Sequence, residues 1–265
     1  MNLSFNLFSK GSKRLIFSIF LFLNIPFFIL SSSAEAGFLS FLTRSYKKTR
    51  TSLEISIGKS TKESLIKQFG LYKNAQASYM VKSMGKKISA QASRPDIDYD
   101  FTVLDSKEVN AFAAPGGFVF VTRGLLEKIE NENQLAFVIG HEVGHIARKH
   151  SIKAIERTYG LSVLLSLFSR EDSNSKNQIA RIASSLALLK RSRKNEFEAD
   201  WQGIHLADKA GYNPNGAIGF FNVLKSMEGK GFEKIERVAS FFSTHPPTSE
   251  RIKSAAEHIN EIHRK

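Results

Sequence analysis

His141-Glu142-Val143-Gly144-His145 places two imidazoles four residues apart, with a carboxylate between them. Residues four apart share one face of an α-helix, so His141 and His145 can reach a single metal ion together. Glu142 lies one step round the helix, beside the position a water would take. Two imidazoles and one further protein ligand leave Zn2+ an open site, and the metal lowers the pKa of a water held there. That combination suits attack on a carbonyl, with Glu142 as general base and then as proton donor to the leaving group. The surroundings read as helix: no proline occurs between Pro115 and Pro214, and Leu135, Val138, Ile139, Val143 and Ile146 recur at helical spacing. Gly140 and Gly144 are poor helix formers, and their expected use is to let another backbone approach closely. The alternative is a core helix whose histidines are merely hydrogen-bonded.

A third ligand must come from elsewhere, and Asn195-Glu196-Phe197-Glu198-Ala199-Asp200 offers candidates. Glu196 and Asp200 share a helical face, whereas Glu198 lies roughly 200° round from Glu196, so the two glutamates cannot both face a metal. Glu196 with Asp200 is the better pair: one carboxylate on the metal, the other free to hold a ligand histidine's remaining N–H. A solvated acidic face is the plainer explanation. It loses ground because Trp201, Ile204, Leu206 and Ala207 give this helix a buried side of its own.

Four blocks in order carry a family resemblance. They are residues 110–117 (Asn-Ala-Phe-Ala-Ala-Pro-Gly-Gly) followed by 118–122, then 141–145, then 196–200, and lastly Thr244-His245-Pro246-Pro247-Thr248 with Arg251. Across roughly residues 65–260 the chain resembles the HtpX- and BepA-like zinc metallopeptidases, the gluzincin group that includes the CAAX prenyl proteases. The resemblance implies one Zn2+ per chain on His141, His145 and Glu196, with Glu142 as catalytic base and Asp200 orienting a ligand. It also implies that Arg251 supports the site and that His245 approaches the zinc, either plugging the open position or steadying the developing oxyanion. Asn110, Ala111, Phe112 and Ala113 are then the edge of a small sheet that pairs with substrate backbone.

The implied fold is α+β: a mainly helical zincin-type domain with a small antiparallel sheet before the metal-binding helix. Residues 99–104 alternate like a strand, and residues 110–113 and 118–122 read as two more, joined by Ala114-Pro115-Gly116-Gly117. A helix is expected over roughly residues 63–92, ended by Arg94-Pro95. His150 and His205 sit about half a helical turn from the nearest proposed ligands, so structural or surface roles are expected of them.

Lys10, Lys13 and Arg14 precede the apolar residues 15–30, and Ala34-Glu35-Ala36 supplies a cleavage site before Gly37. Residues 1–36 therefore read as a signal peptide, residues 37–62 as a basic linker, and residues 63–265 as the metallopeptidase domain. The expected location is periplasmic after cleavage; the alternative is anchoring through an uncleaved N-terminal segment. Residues 161–168 are too few to cross a bilayer. HtpX-type relatives carry membrane spans, and their absence here points to a soluble, exported branch of the group; no internal repeat is found. Cysteine is absent, which excludes disulfides and thiol catalysis. The net charge of +13 favours anionic surfaces, and its scatter along the chain points to peripheral contact with an anionic membrane surface rather than to nucleic acid. The expected function is zinc-dependent cleavage of exposed or misfolded polypeptides in envelope quality control. A chaperone-like binder of unassembled outer-membrane proteins that rarely cleaves is the alternative.

Overall fold

The computed structural model describes residues 32–168, 170, 172–185, 191–227, 245 and 249–264. The chain divides into two compact units, Met1–Lys47 and Lys48–Lys265. Of the expected signal peptide, residues 1–31 lie outside the described residues, as do Thr244, Pro246, Pro247 and Thr248 beside His245. Among the described residues no helix is long and apolar enough to cross a membrane.

The first helix, α1 (Ser32–Phe69), runs through the stretch expected as a linker. Within the second unit its Leu53 and Ile57 are buried, so the folded unit takes in residues ahead of 63. Two of the basic residues that suggested a linker have partners here: Arg50 meets Glu156, and Lys62 Nζ lies 2.9 Å from Asp100. The single helix expected over 63–92 is two. Gly70 takes a left-handed φ of 76°, which glycine adopts without a Cβ penalty, and ends α1. Leu71 then bridges Leu104, and the Asn74 side chain accepts the Ala77 N–H to start α2 (Ala75–Ser89).

Three short strands follow: β1 (Asp100–Leu104), β2 (Ala111–Ala114) and β3 (Phe118–Thr122). Their order is β1-β3-β2. The expected antiparallel pairing holds for β2 and β3, with Phe112 opposite Phe120, but β1 runs parallel to β3, so the sheet is mixed. The cause is the loop from 105 to 110, which passes the end of β3 and returns on its far side. Thr122 anchors that loop by donating its N–H to Asn110 O at 3.0 Å and accepting the Asn110 N–H on its hydroxyl.

Period-two alternation sorts the sheet's side chains into two cores. Phe101, Val103, Ala111, Ala113, Val119 and Val121 enter one core; Leu104, Phe112, Ala114, Phe118 and Phe120 enter the other. The short α3 (Arg123–Leu126) then leads to α4 (Glu132–Ala147), which Asn131 caps by accepting the N–H groups of Asn133 and Gln134. After α4 come α5 (His150–Tyr159), α6 (Leu161–Phe168), α7 (Ser173–Ser185), α8 (Arg193–Lys209), α9 (Gly216–Met227) and α10 (Ser249–His263). The first core joins α2, α4, α8, α9 and α10 to the sheet; the second joins α1, α5, α6 and α7 to its other face.

The contact that builds the site is α4 against α8. A Cβ on Gly140 would sit 2.8 Å from Gly203 O, and one on Gly203 would sit 2.9 Å from His141 N. Two facing glycines let the backbones approach to a separation no other residue permits, as the sequence suggested for Gly140. That approach sets Glu196 and Asp200 opposite His141 and His145.

Candidate active site

His141 and His145 on α4, Glu196 on α8 and His245 ahead of α10 are all buried, and one ligand atom from each lies within 4.8 Å of the others. The Nε2 atoms of His141 and His145 are 3.0 Å apart. His245 Nδ1 is 3.2 Å from His141 Nε2 and 3.0 Å from Glu196 Oε2. Glu196 reaches His145 Nε2 at 3.4 Å and His141 Nε2 at 3.6 Å. Donor atoms bound to one tetrahedral zinc at 2.0–2.1 Å would lie about 3.3–3.4 Å apart, so these separations fit a single ion.

The remaining ring atoms explain why the Nε2 lone pairs converge. His141 Nδ1 lies 3.0 Å from Asp200 Oδ1, and donating its proton there leaves Nε2 as an electron-pair donor. Arg251 holds Asp200 with Nε and a terminal nitrogen, each at 2.7 Å, and reaches Glu196 Oε2 at 3.1 Å. His145 Nδ1 lies 2.8 Å from His150 Nδ1, whose own Nε2 lies 3.1 Å from Glu198 Oε2. Protons running from His145 to His150 to Glu198 leave His145 Nε2 unprotonated as well. Two such lone pairs at 3.0 Å repel unless a cation lies between them, which is the chemistry of a metal site.

Electrostatics agree. Burial holds His145 well below its ordinary pKa, and Arg191 pushes it the same way, so the imidazole is neutral. Burial alone would raise Glu196, but His245 and His145 outweigh it and keep the carboxylate charged. Asp200 follows the same pattern, with Arg251 and then His141 overcoming burial. Glu142 behaves differently. Burial raises it, and Glu196 adds to the rise, against the pull of Arg191 and His141. Both its carboxylate oxygens are buried, with the backbone N–H of Ala113 a further and weaker pull against the rise, and such a carboxylate suits a base able to take up a proton.

These features have a family counterpart. The sequence model for peptidase family M48 matches residues 75–259. The chain belongs to peptidase family M48. It is 32% identical over 176 residues to the mitochondrial metalloendopeptidase OMA1 of Schizosaccharomyces pombe, covering 66% of this chain and 51% of that one. It is 32% identical over 166 residues to the metalloprotease YcaL of Escherichia coli, covering 61% of each. It is 26% identical over 197 residues to the beta-barrel assembly-enhancing protease of E. coli, covering 69% of this chain and 39% of that one. The chain spans about half the length of the curated relatives it matches. The resemblance read from the four sequence blocks agrees with this membership.

The structure brings together His141, His145, Glu196, Asp200, Arg251 and His245, with Glu142 Oε1 3.6 Å from His245 Nε2. The segment with Asn110, Ala111, Phe112 and Ala113 lies at the sheet edge formed by β2, and Ala113 O already accepts the Ser151 hydroxyl at 3.1 Å. His150 is placed otherwise than expected. Helical extrapolation from α4 puts it half a turn away, but α4 ends at Ala147 and Lys149 takes a φ of 60°. That left-handed residue turns the chain back and points His150 at His145. Glu198 cannot face the metal from its side of α8, as its phase implied, yet it reaches His150. Arg191 was also missed: it donates to His245 Nε2 at 3.0 Å and to Ala113 O at 3.3 Å. Nothing local in the sequence marks it. His205 stacks on Trp201 and takes no part in the cluster.

Proposed function

We propose that this chain is a zinc-dependent endopeptidase acting on exposed or misfolded polypeptides. One observation carries the reading: three donors of the zinc type, His141, His145 and Glu196, converge beside a fully buried carboxylate, Glu142. Zinc, when bound, polarises a peptide carbonyl and acidifies water. Glu142 accepts the proton of the attacking water and returns it to the leaving amine. Asp200, held by Arg251, fixes the ring of His141, while His150, backed by Glu198, fixes that of His145. The buried setting excludes bulk water and strengthens each of these contacts.

His245 fills the fourth donor position of the cluster, so the resting enzyme is self-blocked until substrate displaces that residue. With Arg191 donating to Nε2, the His245 proton sits on Nδ1 and goes to Glu196. Ligation through Nδ1 would need the other tautomer, with Nε2 given up by Arg191 and its N–H turned to Glu142, 3.6 Å away. The edge strand β2 guides the substrate backbone.

The basic n-region, the apolar run and the Ala34-Glu35-Ala36 site support export with cleavage before Gly37, and the net positive charge that remains after loss of Lys10, Lys13, Arg14 and Glu35 supports peripheral contact with anionic membrane. Envelope protein quality control is the role that joins these features. Metal analysis of the purified protein, with casein digestion with and without chelator, tests the chemistry. Glu142→Gln should keep the metal and lose about 10²–10⁴ of the turnover. Near-normal turnover in the metal-loaded variant rejects the assignment. A metal-free protein that binds unfolded polypeptide would replace it with a binding role. Intact-mass analysis of the exported protein tests cleavage at Gly37.

A further inference from the structure

Five guanidinium groups placed by the fold are balanced by acids. Arg50 meets Glu156, Arg94 meets Glu54 and Asp96, Arg123 meets Asp105 and Glu127, Arg193 meets Glu250, and Arg251 meets Glu196 and Asp200. Arg191 lies at the active site and, among the described residues, meets no carboxylate. Its three hydrogen bonds go to neutral acceptors: His245 Nε2 at 3.0 Å, Ala113 O at 3.3 Å and Ser151 Oγ at 3.4 Å. Two of these are at the long end of the hydrogen-bond range, and a guanidinium carries five N–H groups. Arg191 is also only partly buried, so a ligand can reach it.

Its position relative to β2 gives this charge a use. Asn110 O accepts the Thr122 N–H, so Asn110 and, by alternation, Phe112 and Ala114 turn their backbone groups towards β3. Ala111 and Ala113 turn theirs outward, and Arg191 sits on the Ala113 carbonyl at that outer edge while its other arm touches His245. A chain laid along β2, or one replacing His245 at the ligand cluster, must pass the guanidinium.

We infer that Arg191 is a specificity-determining residue that selects peptides with an aspartate or glutamate side chain next to the scissile bond. The inference rests on the endopeptidase reading above. A carboxylate offers the fork two parallel charge-assisted bonds, roughly twice as strong as the neutral ones it displaces. The net positive charge of the chain favours encounter with acidic polypeptides. Arg191 exerts the largest charge effect on Glu142, so its replacement alters turnover on every substrate. That common effect cancels in the ratio between two peptides, which is therefore the quantity to measure.

Fluorogenic peptides that differ only in Glu or Gln at each position flanking the scissile bond provide the assay. For wild-type protein kcat/KM should favour Glu at one of these positions by about tenfold or more, the size of one charge-assisted interaction. The preference should shrink with added salt. Arg191→Gln should abolish it, Arg191→Lys should keep part of it, and Arg191→Glu should turn it towards Lys-containing peptides. The affinity of Glu142→Gln protein for the same pair, read by fluorescence anisotropy, should show the same ranking without turnover. Equal kcat/KM for the Glu and Gln peptides in wild-type protein overturns the inference while leaving the peptidase intact, and that result needs no variant to fold. So does an acidic preference that survives in Arg191→Glu. Failure to cleave any peptide, with metal bound, rejects the underlying reading instead.

Discussion

Replacing His150 with alanine tests the support of the metal site directly. In the folded protein His145 is fully buried and its Nδ1 lies 2.8 Å from His150 Nδ1. Alanine removes that acceptor and leaves a buried N–H without a partner, at a cost of about 1–3 kcal/mol. The cost falls on the geometry that presents His145 Nε2 to the metal, because His150 fixes both the tautomer and the ring orientation. At 1.4 kcal/mol per factor of ten, zinc affinity should weaken by about 5- to 150-fold, which brackets the roughly 10- to 100-fold typical for loss of such a supporting partner. The measurement is a competition titration against a chromophoric chelator, with circular dichroism to confirm the fold. Glu198→Gln serves as the graded control. Glu198 lies behind His150 with a side chain 38% exposed, so solvent screens it and its loss should cost no more than about fivefold. A zinc Kd for His150→Ala within twofold of wild type, in a folded protein, refutes the relay, and a larger loss in Glu198→Gln than in His150→Ala reverses its order.

Three further outcomes follow from the same geometry. Gly203→Val should push α8 from α4, destabilising the protein by about 1–3 kcal/mol and weakening metal binding, because a Cβ there meets His141 N at 2.9 Å; unchanged Tm and metal affinity would refute the close-approach argument. His245→Ala should raise basal casein cleavage or autolysis if the ring blocks the site, and a fall of about 10²–10³ in turnover would instead assign it to oxyanion stabilisation. Hydrogen bonding to Arg94 lowers Asp96 to about 2, so its contribution of about 2 kcal/mol is complete above the unfolded carboxylate pKa of about 4 and fades as pH falls towards 2. Urea unfolding of wild type and Asp96→Asn should therefore differ at pH 7 and converge only as pH falls to about 2 and below, and a pH-independent difference would contradict the assignment.

What the sequence by itself determined rests on helical phase. The spacing of His141 and His145 puts both on one face whatever they pack against, and the same phase separates Glu196 and Asp200 from Glu198. These are relations within one turn or two of a helix, governed by backbone geometry alone, and so is the period-two alternation of β1 and β3. The tertiary structure decided what lies between segments. The mixed sheet depends on the side of β3 to which the loop 105–110 delivers β2, which no strand pattern records. Residues 48–62 looked like a basic linker because their charges outnumber Leu53 and Ile57, and only docking shows those two buried and Arg50 paired with Glu156. His150 reaches His145 because Lys149 takes a left-handed backbone, a conformation that a lysine does not announce. Arg191 meets Ala113 and His245, 78 and 54 residues away along the chain, through the fold of the whole domain. Local geometry placed the ligands on their helices; the close contact of Gly140 with Gly203 made them one site.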